Sequence, residues 1–227
     1  MNRIARTVSR RLRRARRRRK VARSYDMALE IFRIVGRGAS VLDVGCGNGF
    51  ITHHLAAMLN SKVVGIDVGQ STDAQINYLL YDGRHFPVAD NSFDAVVLCY
   101  VLHHAQEASL VLNEVRRVLR HGGTTIIYED NPASWWDRVV CWTHNLQWTH
   151  RTGPCKFQLA SEWRKVFARS GFETIQQRSL SRWRNLAHPV SRNFFVLTTN
   201  ADGVQSNCQQ LPEPITTRVI AELPASG

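Results

Sequence analysis

Three glycines at alternate positions, set between a strand-like run and a helical pattern, constrain this chain more than any other feature. The segment Val41-Leu-Asp-Val-Gly-Cys-Gly-Asn-Gly49 passes from an apolar run into Gly45, Gly47 and Gly49. Phe50–Leu59 then carries Ile51, Leu55 and Met58/Leu59 on one helical face. Glycines let such a loop turn sharply and bring its backbone against a ligand with no Cβ in the way. A strand, a glycine loop and a helix in that order open a βαβ unit, and Asp67 ends the next apolar run about twenty residues on. There a carboxylate can accept two ribose hydroxyls.

The same alternation continues. Tyr25, Leu29, Phe32 and Val35 follow helical spacing until Gly36 and Gly38 stop the helix. Strands are predicted at 40–44, 62–66, weakly at 77–81, at Phe93–Cys99 and at 124–128. The run from Ala95 to Cys99 is continuously apolar, as in a strand covered on both faces. Leu110, Glu114 and Val118 form one helical row with Val111, Val115 and Leu119 beside it, and His121-Gly-Gly123 is expected to end that helix. A helix at 161–170 and strands near 173–181 and 193–199 complete the pattern. Such an order implies a parallel sheet with helices on both faces, and ligands bind at the carboxyl ends of its strands.

Composition divides the chain. Residues 1–20 hold ten arginines, Lys20 and no acid, while the other 207 residues carry 19 basic against 18 acidic side chains. The net charge of +12 therefore belongs to an appendage, and the body is near neutral. We divide the sequence into a basic arm at 1–23, disordered or an amphipathic helix, a globular domain at 24–200, and a disordered tail at 201–227. A Trp-rich insertion occupies about 131–157. Ile4, Val8, Leu12 and Ala15 recur at helical spacing, so an anionic membrane surface is one partner for the arm. A solvated tail is the other leading reading, with nucleic acid next and a transit peptide last. Five scattered cysteines without a C-x-x-C pair argue for a reducing compartment and against a disulfide framework. No apolar run approaches a membrane span, so a cytoplasmic protein, peripheral to the membrane at most, is expected.

The loop spacing is G-x-G-x-G, whereas dinucleotides prefer G-x-G-x-x-G. Asp43, just ahead of the loop, is poorly placed beside a pyrophosphate and suits a ligand bearing a cationic amine and sulfonium. These electrostatics favour S-adenosylmethionine over NAD. Val41–Gly49, Gly65-Ile-Asp67, the stretch from Tyr81-Asp-Gly to Asn-Ser-Phe-Asp-Ala95, and Leu102-His-His104 together resemble the class I S-adenosylmethionine-dependent methyltransferases. The nearest branch is the small-molecule (type 11, quinone-biosynthesis-like) group. The resemblance covers residues 40–130 well and extends more loosely to 199.

It implies an α/β fold with a doubly wound, mostly parallel seven-stranded sheet and a final antiparallel strand, supplied by 193–199. By the same resemblance Asp43, Gly45, Cys46 and Gly47 line the methionine part, and Asp67 binds the ribose. Val68 packs on the adenine, Asp82 faces its amino group with Gly83 beside it, and Cys99 and Tyr100 border the sulfonium. One departure matters: only fourteen residues separate Asp67 from Asp82, with no convincing helix between them.

His103 and His104 are candidates for a general base, or equally for capping and solvent contact, and Glu129 ends strand five nearby. Asp130 either faces the same cleft or caps a helix. Asp94 shapes the turn into strand four, and Cys99 reads as a small buried hydrophobe. Trp135, Val139 and Trp142 share a helical face that reads first as core, and Trp135 and Trp136 otherwise as a substrate wall. The spacing of His144, His150 and Cys155 is no metal signature, so no metal is expected. The function that emerges is methyl transfer to a small-molecule or lipid-like acceptor. An RNA or protein methyltransferase tethered by the arm, and a non-catalytic binding domain, are the alternatives.

Overall fold

The computed structural model describes residues 3–69 and 72–199, with the backbone alone at 3–10 and 151–152. Seven strands form one sheet: β1 (Val41–Val44), β2 (Val63–Asp67), β3 (Tyr78–Leu80), β4 (Phe93–Cys99), β5 (Leu119–Asp130), β6 (Phe172–Leu180) and β7 (Arg192–Thr199). Their spatial order is β3-β2-β1-β4-β5-β7-β6. The first five pair in parallel, while β7 runs antiparallel to both β5 and β6. This is the class I methyltransferase arrangement, with β7 as the reversed strand. The order reverses between β1 and β4, and there ligands bind in open α/β sheets.

Strand periodicity sorts the core into two layers. Leu42, Val44, Val64, Ile66, Val96 and Leu98 point to one face, where α3 (Ala108–Val118) and α5 (Ala160–Arg169) cover them through Val111, Val115, Trp163 and Phe167. Val41, Val63, Ala95 and Val97 point to the other. There α1 (Arg3–Val35) and α2 (Phe50–Leu59) contribute Met27, Ala28, Ile31, Leu55 and Leu59. α4 (Trp135–Thr152) follows β5 at the carboxyl edge of the sheet.

Three expectations are corrected. β5 starts at Leu119 directly after α3, so His121-Gly-Gly123 does not end the helix but lies in the strand. The pairing with β4 shifts register between Phe93 and Ala95, and a Cβ on Gly123 would stand 2.9 Å from the Arg120 carbonyl oxygen. The glycines form a bulge there rather than a cap. Trp135, Val139 and Trp142 are not core: they are 73%, 44% and 60% exposed. Asp130 does not cap α4, because Ser134 does, exchanging hydrogen bonds with Asp137.

The basic arm forms one continuous helix with the segment that packs on the sheet, and every side chain from Arg11 to Lys20 is exposed. The described residues between β2 and β3 hold no helix; the loop folds back so that Asp73 and Ala74 amides donate to the Asn48 carbonyl at 3.1 and 3.0 Å. The tail at 201–227 lies outside the described residues.

Candidate active site

The glycine loop is tied down from below. Gly45 and Cys46 amides both donate to the Ile66 carbonyl, at 2.8 and 3.1 Å, which binds the end of β1 to the end of β2. Gly45 adopts φ 66°, and a Cβ on it would meet Val101 Cγ2 at 2.5 Å. The loop is therefore pressed against the segment that follows β4. Gly47 is different: a Cβ there would meet nothing within 4 Å, so its backbone borders open space.

Two carboxylates flank this space. Asp67 spans the loop, its Oδ2 accepting from the Gly47 amide at 2.7 Å and its Oδ1 from the Gly69 amide at 2.9 Å. Asp43 is 1% exposed, and its Oδ2 accepts from the Thr52 hydroxyl at 2.6 Å. Burial pushes the Asp43 carboxyl up to about 7, with the Thr52 hydrogen bond opposing and the Asp67 charge adding to the rise. A buried carboxylate held near neutrality by desolvation is stabilised by a cation brought next to it. Thr52, on the first turn of α2, carries no glycine or acid signal and was missed in the sequence.

Val68 is 56% exposed at the end of β2 and lies 3.5 Å from the Cβ position of Gly83, so the fold brings these two together. Asp82 is exposed and closes its own turn, accepting from the Arg84 and His85 amides at 2.7 and 2.8 Å. Those hydrogen bonds hold its carboxyl below the usual range. Cys46 packs its sulfur under Gly65, and burial raises both its thiol and that of Cys99, so neither is a thiolate nucleophile. Cys99 is half-buried rather than enclosed. Tyr100 follows it at φ 64°, a left-handed conformation rare for a bulky residue and frequent at functional sites. Asp94 anchors the other end of β4, accepting from the Ser40 amide and hydroxyl at 2.8 and 2.7 Å, so its role is structural.

Beyond Tyr100 the chain enters a short 3-10 helix, Leu102–His104. Glu129, fully buried at the end of β5, holds it: one oxygen accepts from the Val101 and Leu102 amides at 3.1 and 2.7 Å, the other binds His103 Nδ1 at 2.6 Å. Burial favours the neutral His103 ring, but the Glu129 carboxylate outweighs it and raises the histidine. His104 projects beside it, with Nε2 3.3 Å from His144 Nε2 of α4 and Nδ1 3.4 Å from Cys155 Sγ. Burial and the neighbouring histidines push His104 down to about 3 and His144 to about 4, so both rings are neutral. Asp130 pairs with His188 at 2.8 Å and with Arg192 at 3.3 Å. Burial disfavours its charge, yet these two partners hold its carboxyl below the ordinary value.

The fold thus gathers His144 and Cys155 onto the His103-His104 pair from a segment some forty residues away. His188, ahead of β7, and Arg192, its first residue, join through Asp130; no local pattern marked them.

A groove of about 360 Å³ lies beside this cluster, lined by Ser134, Trp135, Trp136, Arg182, Trp183 and Pro189. Trp136 Nε1 donates to the Pro189 carbonyl at 3.1 Å, which fixes one wall. Trp183 is 69% exposed at the other.

Residues 42–127 match the protein family described as "Methyltransferase domain". The chain is 30% identical over 105 residues to a sterol 24-C-methyltransferase of Gibberella zeae, covering 40% of this chain and 28% of that protein. It is 26% identical over 179 residues to the cycloartenol-C-24-methyltransferase of Arabidopsis thaliana, covering 71% and 53%. The chain thus spans about a quarter of the first relative's length and about half of the second's. Among solved structures, a SAM-dependent methyltransferase from Methanosarcina mazei superposes with a TM-score of 0.57 at 19% identity, covering 72% of this chain and 93% of that one.

Proposed function

We propose that this chain, a class I S-adenosylmethionine-dependent methyltransferase by domain and fold, acts on an apolar small-molecule or lipid-like acceptor. The residues present fit that cofactor: the open space at Gly47, the bridging Asp67 carboxylate and a buried Asp43 whose ionisation calls for a cation. When bound, the cofactor supplies a methyl group already activated on a sulfonium. Asp43, with Gly45, Cys46 and Gly47, holds the methionine end, and Asp67 takes the ribose hydroxyls. Val68 and Gly83 border the adenine, with Asp82 at its edge. Cys99 and Tyr100 close the side toward the acceptor.

What remains for the protein is alignment and exclusion of water, and positioning alone contributes about 7–11 kcal/mol at best. No triad is needed. His103 and His104 stand on the acceptor side, and Glu129 acts through His103 and the Leu102 amide as a positioning residue.

The observation that carries the acceptor class is the tryptophan-walled groove next to the histidine cluster. Trp135, Trp136 and Trp183 offer broad apolar faces, and His188, which binds Asp130 at 2.8 Å, directly precedes the lining residue Pro189. The relatives named as sterol and cycloartenol methyltransferases support the same reading. The experiment is transfer of a labelled methyl group into cell extract fractionated into lipid, small-molecule, RNA and protein pools. Label should enter the lipid or small-molecule pool and vanish with Asp67→Ala. Label confined to RNA or protein would overturn this reading and favour the tethered alternative.

A further inference from the structure

We propose that His103, His104 and His144 form a binding site for a divalent transition-metal ion, with one coordination position left for water or a heteroatom of the acceptor. One ring nitrogen from each lies within 4.8 Å of the other two. His104 Nε2 and His144 Nε2 are 3.3 Å apart. Two nitrogens on a tetrahedral zinc, each at about 2.0–2.1 Å, stand about 3.3 Å from one another. The pair already has the separation that a shared ion requires, and a ring nitrogen of His103 lies within 4.8 Å of both.

The surroundings match what metal-bound histidines need. Such a ring donates its outer N–H to a carboxylate or similar acceptor, which fixes the tautomer and aims the other nitrogen's lone pair at the metal. His103 Nδ1 is 2.6 Å from the buried Glu129 carboxylate. Metal binding takes the neutral ring, in which Nδ1 keeps its proton for Glu129 and Nε2 carries the lone pair; Nε2 is buried with no hydrogen-bond partner among the described residues, on a ring that is 0% exposed. A bare buried acceptor is costly, and a cation is one of the few ligands that satisfies it. His104 repeats the pattern, with Nδ1 against Cys155 Sγ at 3.4 Å and Nε2 turned toward His144. Two of the three rings are thus oriented from behind.

Charge and packing agree. Glu129 and Asp130, both buried, stand next to the cluster and offset a dication. Asp130 and His188 each place a ligand atom within 4.8 Å of His144, so a carboxylate lies at hand on the open side. Phe157 stacks on His103 at 4.7 Å between ring centroids, and Trp148 on His144 at 5.9 Å, forming an apolar shell that restricts water. Three imidazoles with an open position suit Zn2+, Co2+ or Ni2+ and disfavour Mg2+ and Ca2+, which take oxygen ligands. The use of the ion in catalysis rests on the proposed methyl transfer; its binding does not.

The test is titration of the full-length, chelator-treated protein with Co2+ alone, followed by visible absorption. The expected result is the intense bands of a four-coordinate Co2+ site, saturating at one ion per chain and erased by added Zn2+. His144→Phe keeps an aromatic ring against Trp148 but removes the nitrogen, and it should abolish the bands. His121→Ala, on an exposed histidine of the β5 bulge, should leave them unchanged. Zn2+ should also raise the melting temperature of the wild type and not that of His144→Phe. Should His144→Phe not fold, His104→Gln takes its place in both measurements. The pale spectrum of six-coordinate aqueous Co2+ throughout, or bands undiminished in His144→Phe, would overturn the site. No acceptor is present in these measurements, so failure of the methyl-transfer reading leaves them intact.

Discussion

Asp43 is the residue whose environment asks most of the cofactor. Its carboxyl titrates at about 7 in the folded protein, against an ordinary unfolded value of about 3.9. Between those values the folded chain holds a proton that the unfolded chain lacks, so stability without cofactor falls as pH rises through about 4 to 7. The gap corresponds to on the order of 4 kcal/mol at pH 8. Asp43→Asn keeps an acceptor for the Thr52 hydroxyl and removes the charge. Thermal denaturation without cofactor should therefore show Asp43→Asn melting higher than the wild type at pH 8 and nearly level with it at pH 5. Calorimetry should show the reverse order for cofactor affinity, weakened by about 10–100-fold through loss of a charge-assisted contact. A wild-type affinity that does not rise as pH passes through about 7 would count against Asp43 as the partner of a cationic group.

Gly45 offers a second test at the same scale. A Cβ at φ 66° and 2.5 Å from Val101 Cγ2 combines backbone strain with overlap, so Gly45→Ala should cost about 1–3 kcal/mol. Adding Val101→Ala removes the overlap but not the strain. The double variant, measured by urea denaturation, should regain part of the loss beyond simple additivity.

At the scale of elements, apolar runs located β1, β2, β4 and β7 because these strands bury both faces, and periodicity located α3 because Val111, Val115 and Val118 meet the sheet. It misread α4 for the same reason. Trp135, Val139, Trp142 and Leu146 repeat at core spacing, yet this face turns outward and the opposite face, through Val140 and Cys141, packs inward. Periodicity reports that a face is apolar, not what covers it. The β5 glycines were misread because a bulge and a helix stop use the same residues. The glycine loop was legible because its residues are contiguous, and the histidine cluster was not, because it is assembled from three separate segments. The consequence for α4 is direct. Trp142 is 60% exposed, so Trp142→Ser should shift stability by no more than about 0.5 kcal/mol. If the stripe meets an apolar acceptor or a lipid surface, the same change should weaken partitioning onto uncharged lipid vesicles several-fold, as measured by co-sedimentation. A loss of melting temperature without loss of partitioning would return Trp142 to a purely packing role.

Over the whole molecule, charge and chemistry are separated in space as they are in sequence. The exposed basic turns of α1 lead into the part of the helix that packs on α2 and the sheet, and Lys20 reaches the glycine loop by donating to the Asn48 side chain. Arg17 lies over the Phe50 ring at 6.0 Å, at the start of α2. The arm therefore meets the body beside the loop that would hold the cofactor, through Arg17 and Lys20. Among the described residues no helix is long and apolar enough to cross a membrane. Each Lys or Arg near an anionic surface contributes about 1 kcal/mol, and the contribution fades within a Debye length as salt rises. Deleting residues 1–16 removes seven arginines and spares Lys20 and Arg17. Binding to anionic vesicles should fall by at least tenfold at low salt, and the remaining affinity should depend much less on ionic strength. Cofactor affinity should stay within about twofold, because the Lys20 contact to Asn48 is retained. Lys20→Ala, by contrast, should disturb cofactor binding while leaving vesicle binding almost unchanged. Equal vesicle affinity with and without residues 1–16 would remove the membrane from the arm's role, and salt-sensitive RNA binding by the same pair of proteins would decide for nucleic acid.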